Sequence, residues 1–127
     1  MTPRIARLAH FLLVGGTGFL IDVGLVHLLS RAGLSPIVAR IPSILTAILA
    51  TWLLNRRLTF RVAQRPNLAE LLRYAGVALT SGVLNFALYS VLIVQGVTPL
   101  LAVAMATIAL MTFSFFGYKL FAFRLKP

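Results

Sequence analysis

Residues 99–118 read PLLAVAMATIALMTFSFFGY, twenty positions without a single charged side chain. A helix rises about 1.5 Å per residue, so a run of this length crosses a hydrocarbon core of about 30 Å. Three further apolar runs precede it, at roughly 9–29, 37–54 and 71–94. Inside lipid the backbone must satisfy its own hydrogen bonds, so all four runs are expected to be helices. The expected fold is therefore an all-α integral membrane domain of four transmembrane helices occupying residues 1–127. The only substantial polar stretch, Asn55 to Glu70, is too short to form a domain of its own.

Composition agrees with the pattern. Of 127 residues, 60% are hydrophobic and 11% charged, and the mean hydropathy is +0.98. Soluble domains are nearer half apolar and about a quarter charged, and a chain this short could not bury the surplus. Water-soluble and disordered proteins are both excluded. The chain has no cysteine, which removes disulfides, iron–sulfur clusters and thiol catalysis. Two His, one Asp and one Glu are too few for a conventional metal site. Neither a nucleophile–base pair nor a cofactor motif survives inspection, so a non-enzymatic protein without cofactor is expected. The first apolar run is too long for a cleaved signal peptide, and three more follow it.

The net charge of +10 is organised by topology. Arg4, Arg7, Arg56, Arg57, Arg61, Arg65, Arg73, Lys119, Arg124 and Lys126 fall at one end of the expected helices, whereas Arg31 and Arg40 fall toward the other. The positive-inside rule then places both termini in the cytoplasm of a multi-pass cell-membrane protein. Nucleic acid is not an expected partner, because the charge marks orientation and contact with membrane lipids. Thr2-Pro3, Ser35-Pro36 and Thr98-Pro99 each place a capping hydroxyl before a proline at a helix start. Asn67 followed by Glu70 reads as a variant capping box, which makes capping the first expectation for Glu70.

Sliding the sequence by 63 residues aligns its halves, about 7–61 with 70–124. Gly33-Leu34-Ser35-Pro36 falls on Gly96-Val97-Thr98-Pro99, Phe60-Arg61 on Phe123-Arg124, and Asp22 on Asn85. Two helices per copy make these parallel repeats, expected to be related by an axis along the membrane normal.

Several residues carry chemical interest. Gly15-Gly16-Thr17-Gly18 resembles a nucleotide-binding loop, but it lies within a membrane span and lacks the strand and acidic residue that chemistry requires. Close helix packing is the better reading, with Gly15, Gly18 and Asp22 on one helical face. Ala39, Ser43, Ala47, Thr51 and Asn55 form a small-residue stripe on the second helix. The fourth helix echoes it with Ala102, Ala106 and Ser114, broken by Leu110 and Tyr118. Asp22 lies two to three turns inside the bilayer, where an ionisable group is costly and marks function by default. Arg40 is its expected intramembrane partner, either as a structural ion pair or in the service of a substrate. Asn55-Arg56-Arg57 closes the second helix at the membrane surface, where adjacent arginines could grip a phosphate. Trp52 is assigned to the interfacial aromatic belt, and His10 and His27 to the two interfaces.

These features together resemble the GtrA-like family of small four-helix membrane proteins, over Phe11 to Phe123. The resemblance is carried by Phe11-Leu12-Leu13-Val14-Gly15-Gly16 leading to Asp22, by Asn55-Arg56-Arg57-Leu58-Thr59-Phe60, by Arg73-Tyr74 and Asn85, and by Lys119-Leu120-Phe121-Ala122-Phe123. Tyr118-Lys119 departs from a second Asn-Arg. The resemblance implies a flippase for polyprenyl-phosphate-linked sugars in cell-surface polysaccharide synthesis. Asn55, Arg56, Arg57, Arg73 and Lys119 would receive the phosphate, and Asp22, Asn85 and Arg40 would line a polar path. It equally implies an alternative, a non-transporting anchor or recruiter of a polyprenyl-phosphate glycosyltransferase partner. A small multidrug-type antiporter is a third reading, disfavoured by the charge bias. A bundle of this size is thin for enclosing a sugar, so a homo-oligomer is expected.

Overall fold

A computed structural model describes residues 2–125, with the side chains of all but 36 and 37. Lys126, counted above among the basic residues, lies outside the described residues. Four α-helices run in order: α1 Pro3–Arg31, α2 Pro36–Leu54, α3 Leu68–Val94 and α4 Pro99–Phe116. Each of the four hydrophobic segments is long and apolar enough to cross a membrane. The chain is a multi-pass membrane protein. Leu13, Leu20, Val94 and Leu100 are each at least two-thirds exposed, as side chains facing lipid rather than water should be.

The helices start where the capping chemistry places them. Thr2 Oγ1 accepts from the Ile5 amide at 3.2 Å, Ser35 Oγ from the Val38 amide at 3.2 Å, and Asn67 Oδ1 from the Glu70 amide at 2.8 Å. Thr98 has the same extended backbone but makes no side-chain cap bond. Two helices start at their expected caps, ahead of the apolar runs they carry. α1 begins at Pro3 and α3 at Leu68, whereas the apolar runs begin near 9 and 71, because a satisfied N-cap extends helix into sequence that polarity alone would leave outside.

The chain forms two compact units, 1–65 and 66–127. Each is an antiparallel helical hairpin. In the first, Phe11 meets Phe60 edge-on at 6.5 Å, Gly18 lies against Thr51, and Asp22 meets Ser43 and Arg40. In the second, Tyr74 packs on Phe123 at 5.7 Å, Gly117 lies against Val77, and Ser114 donates to Ser81 at 2.6 Å. The pairs 11/60 and 74/123, and 18/51 and 81/114, are each displaced by 63 positions.

Both hairpins turn by the same device. Leu34 N–H bonds back to the Leu29 carbonyl at 3.1 Å, and Val97 N–H to the Leu92 carbonyl at 3.0 Å. Each closure needs a left-handed residue just past the helix, supplied by Gly33 at φ 110° and Gly96 at φ 91°.

The far ends hold a feature that periodicity did not announce. α2 continues as a π-helical turn, Asn55–Thr59, and α4 as another, Gly117–Ala122. Their wider spacing shows in the bonds from the Phe60 amide to the Asn55 carbonyl and from the Phe123 amide to the Tyr118 carbonyl, both 2.8 Å. Each is followed by an arginine with positive φ, Arg61 at 48° and Arg124 at 56°.

Candidate functional site

The small-residue stripe of α2 does what its spacing implies: Ala39, Ser43 and Asn55 are buried. On α4, Leu110 and Tyr118 do not break the equivalent stripe. Both are buried in line with Ala102, Ala106 and Ser114, because α3 offers the small Ser81, which donates to the Leu110 carbonyl at 3.4 Å, and the flat ring of Tyr74, stacked on Tyr118 at 4.0 Å. The glycine face of α1 needs correction. A Cβ on Gly18 would stand 2.4 Å from Thr51 Cγ2, whereas one on Gly15 or Gly16 would meet nothing within 4 Å. The packed face runs Phe11, Val14, Gly18. Spacing identified a common face for Gly15 and Gly18 but not which edge of it meets α2.

Within this hairpin lies a polar cluster. Asp22 Oδ2 accepts from Arg40 Nη1 at 2.8 Å. Ser43, fully buried, donates to Asp22, reaching its carboxylate and, at 2.8 Å, its backbone carbonyl. One residue before Ser43, Pro42 lacks an amide and so removes the helical bond to the Val38 carbonyl. Arg40 is thus the partner of Asp22, as expected. Ser43 is a third member that the stripe concealed, since its spacing marks packing rather than hydrogen bonding. Paired and hydrogen-bonded in this way, the carboxylate is held in one orientation within an apolar hairpin.

Asn85 belongs to the other unit. It is half-buried on α3 and makes no side-chain hydrogen bond among the described residues. The positions equivalent to Arg40 and Ser43 are Val103 and Ala106, so unit 2 does not repeat the cluster.

The five basic-end residues divide between the units. Asn55, Arg56 and Arg57 lie on the π turn of unit 1, where Thr59 Oγ1 donates to Asn55 Oδ1 at 2.8 Å. Arg56 is buried at 6% exposure, whereas Arg57 is exposed. Neighbours on a helical turn point in different directions, so this pair does not form the two-pronged grip that adjacency suggested. In unit 2, Arg73 Nε donates to the Ala122 carbonyl at 3.2 Å, and Lys119 is half-buried on the second π turn. Trp52 is buried rather than placed in an exposed belt, and His27 is exposed near the hairpin turn. Among the described residues no cluster of His, Cys, Asp and Glu could hold a metal.

Comparison with known proteins follows the same outline. A family model described as the GtrA/DPMS transmembrane domain matches residues 10–123. A dolichol-phosphate mannosyltransferase of Pyrococcus furiosus is 31% identical over 100 residues, which make up 78% of this chain but 28% of that enzyme. An uncharacterized membrane protein of Bacillus subtilis, YngA, is 28% identical over 123 residues, 97% of this chain and 83% of its own length. The chain therefore spans little more than a quarter of the mannosyltransferase and most of YngA.

Proposed function

The chain belongs to the GtrA/DPMS transmembrane-domain family, and on that premise we propose that it carries a polyprenyl-phosphate-linked sugar across the cytoplasmic membrane. The step would serve cell-surface polysaccharide synthesis or glycosylation, without enzymatic chemistry of its own. The carrying observation is the Asp22–Ser43 contact between the helices of an apolar hairpin, with the half-exposed Arg40 closing on the carboxylate from the hairpin's surface. Charged groups within a bilayer are costly (about 2.5–3.5 kcal/mol on insertion scales) and mark function by default, although the same pair also ties α1 to α2. A sugar needs polar groups at depth while its prenyl tail stays in lipid. Asn85 is the intramembrane polar residue that unit 2 offers in its own hairpin, and the basic ends, Asn55–Arg57 in unit 1 and Arg73 with Lys119 in unit 2, would each draw in phosphate from the cytoplasm. In this reading both termini are cytoplasmic, and a second copy helps enclose the path.

The Pyrococcus match favours one other reading. A relative named as a mannosyltransferase, of which this chain covers 28%, is consistent with a membrane anchor or recruiter for a glycosyltransferase. Deleting the chain's gene separates the two. Loss of a transporter leaves lipid-linked sugar accumulating on the cytoplasmic leaflet. Loss of a recruiter lowers its synthesis, so the same lipid should fall.

A further inference from the structure

At the end of unit 1 that carries the N-terminus, α1, the end of the π turn and Arg61 border an open cleft of about 310 Å³. Its polar lining is Arg7, His10, Thr59 and Arg61, and its apolar wall includes Ala6 and Leu58. Thr59 has its hydroxyl proton committed to Asn55. Arg7 is steadied over the Phe60 ring, 5.8 Å from its centroid. Among the described residues, the side chains of Arg7, His10 and Arg61 make no hydrogen bond or ion pair. No acidic residue lines the cleft. Asp22 and Glu70 are the only acids in the chain, and Asp22 is bound to Arg40 about 22 Å farther along α1.

Arg61 is held at φ 48°, a left-handed backbone that is strained for a non-glycine residue. Arg124 has the same conformation in unit 2, so the turn is common to both units and what distinguishes unit 1 is the set of side chains around it. The equivalent positions of unit 2 show what a self-contained corner looks like. Glu70, buried, stands where unit 1 has Arg7, and Arg73, in place of His10, already donates to the Ala122 carbonyl. Unit 1 instead gathers three cation-capable groups around open space.

We propose that this corner, Arg7 with His10 and Arg61, is the seat of the phosphate of a prenyl-phosphate lipid. The assignment rests on the lipid-linked substrate proposed above but moves the phosphate away from the Arg56–Arg57 pair. Two guanidinium groups supply paired donors for phosphate oxygens. Leu58, 44% exposed, gives the first isoprene units an apolar ledge. The volume is at the low end for ligand sites, enough for a headgroup while the chain runs into lipid.

The test uses the purified full-length protein in detergent, with geranylgeranyl phosphate, geranylgeraniol and inorganic phosphate as probes. The parent should bind the prenyl phosphate and not the alcohol, and inorganic phosphate at equal concentration should fail to displace it. Arg61→Gly removes the guanidinium while suiting the positive φ, so its melting temperature should hold or rise. Its binding, and that of Arg7→Ala, should weaken roughly ten- to a hundredfold, as loss of a charged hydrogen bond implies. Arg124→Gly, the matched change at φ 56° in unit 2, should bind as the parent does. Parent-like binding by both Arg61→Gly and Arg7→Ala overturns the site while leaving the substrate reading intact. Equal displacement by inorganic phosphate overturns the lipid as its occupant. A parent that binds no prenyl phosphate overturns the substrate reading and the site together.

Discussion

Arg40 Nη1 stands 2.8 Å from Asp22 Oδ2, tying α2 to α1 across eighteen residues of chain. Breaking the pair from one side strands the other charge. Arg40→Met should lower stability in detergent by about 1–2 kcal/mol, in the range of strong intramembrane hydrogen bonds, because Asp22 keeps only Ser43. The double variant Asp22→Asn with Arg40→Met should recover most of the loss. Thermal unfolding of the three proteins is the measurement, and a double variant less stable than Arg40→Met would show that the pair is not the coupling.

Gly18 and Gly15 should part company. Gly18→Ala forces a Cβ into Thr51 Cγ2 and should cost about 1–3 kcal/mol. Adding Thr51→Ser removes the obstructing methyl and should restore stability. Gly15→Ala meets open space and should change the melting temperature little, which the same unfolding series checks.

Much of this arrangement was legible in the sequence, and the misses share a cause. Four spans, their hydroxyl and amide caps and the Gly33 and Gly96 turns follow from local chemistry. The Asp22–Arg40 pair was legible because few charges lie within the spans. The π turns were not, since a shift from i+4 to i+5 bonding, as at the Asn55 and Tyr118 carbonyls, leaves no mark on composition or on apolar spacing. Nor does Arg61 carry the Gly or Asn that normally signals a left-handed residue. The corner around Arg7, His10 and Arg61 therefore stayed hidden among charges attributed to topology. Adjacency likewise drew Arg56 and Arg57 together, although one is buried and the other exposed.

Orientation is open to direct labelling. If both termini are cytoplasmic, single cysteines at Ser35 and Thr98 should react with an impermeant reagent in intact cells. One at Gln64 should react only after permeabilisation. Labelling of Gln64 from outside would reverse the assignment.

Arg56→Lys tests whether burial makes that residue more than a charge. The positive-inside rule treats Lys and Arg alike, so a purely topological Arg56 tolerates the change. At 6% exposure, its planar guanidinium is fitted to its surroundings, and lysine should cost about 1–3 kcal/mol of stability. Exposed Arg57→Lys should cost less than about 0.5 kcal/mol. Membrane abundance and melting temperature, measured together, separate the two outcomes.

Transport is tested most directly in vesicles containing the purified chain and no glycosyltransferase. A fluorescent short-chain prenyl-phosphate sugar is distributed over both leaflets, and an impermeant reductant is added outside. Carrier activity predicts that the signal falls well below the plateau of protein-free vesicles, and that Asp22→Asn with Ser43→Ala slows the fall. A trace superimposable on that of protein-free vesicles, from folded parent protein, would contradict transport and leave the chain an anchor.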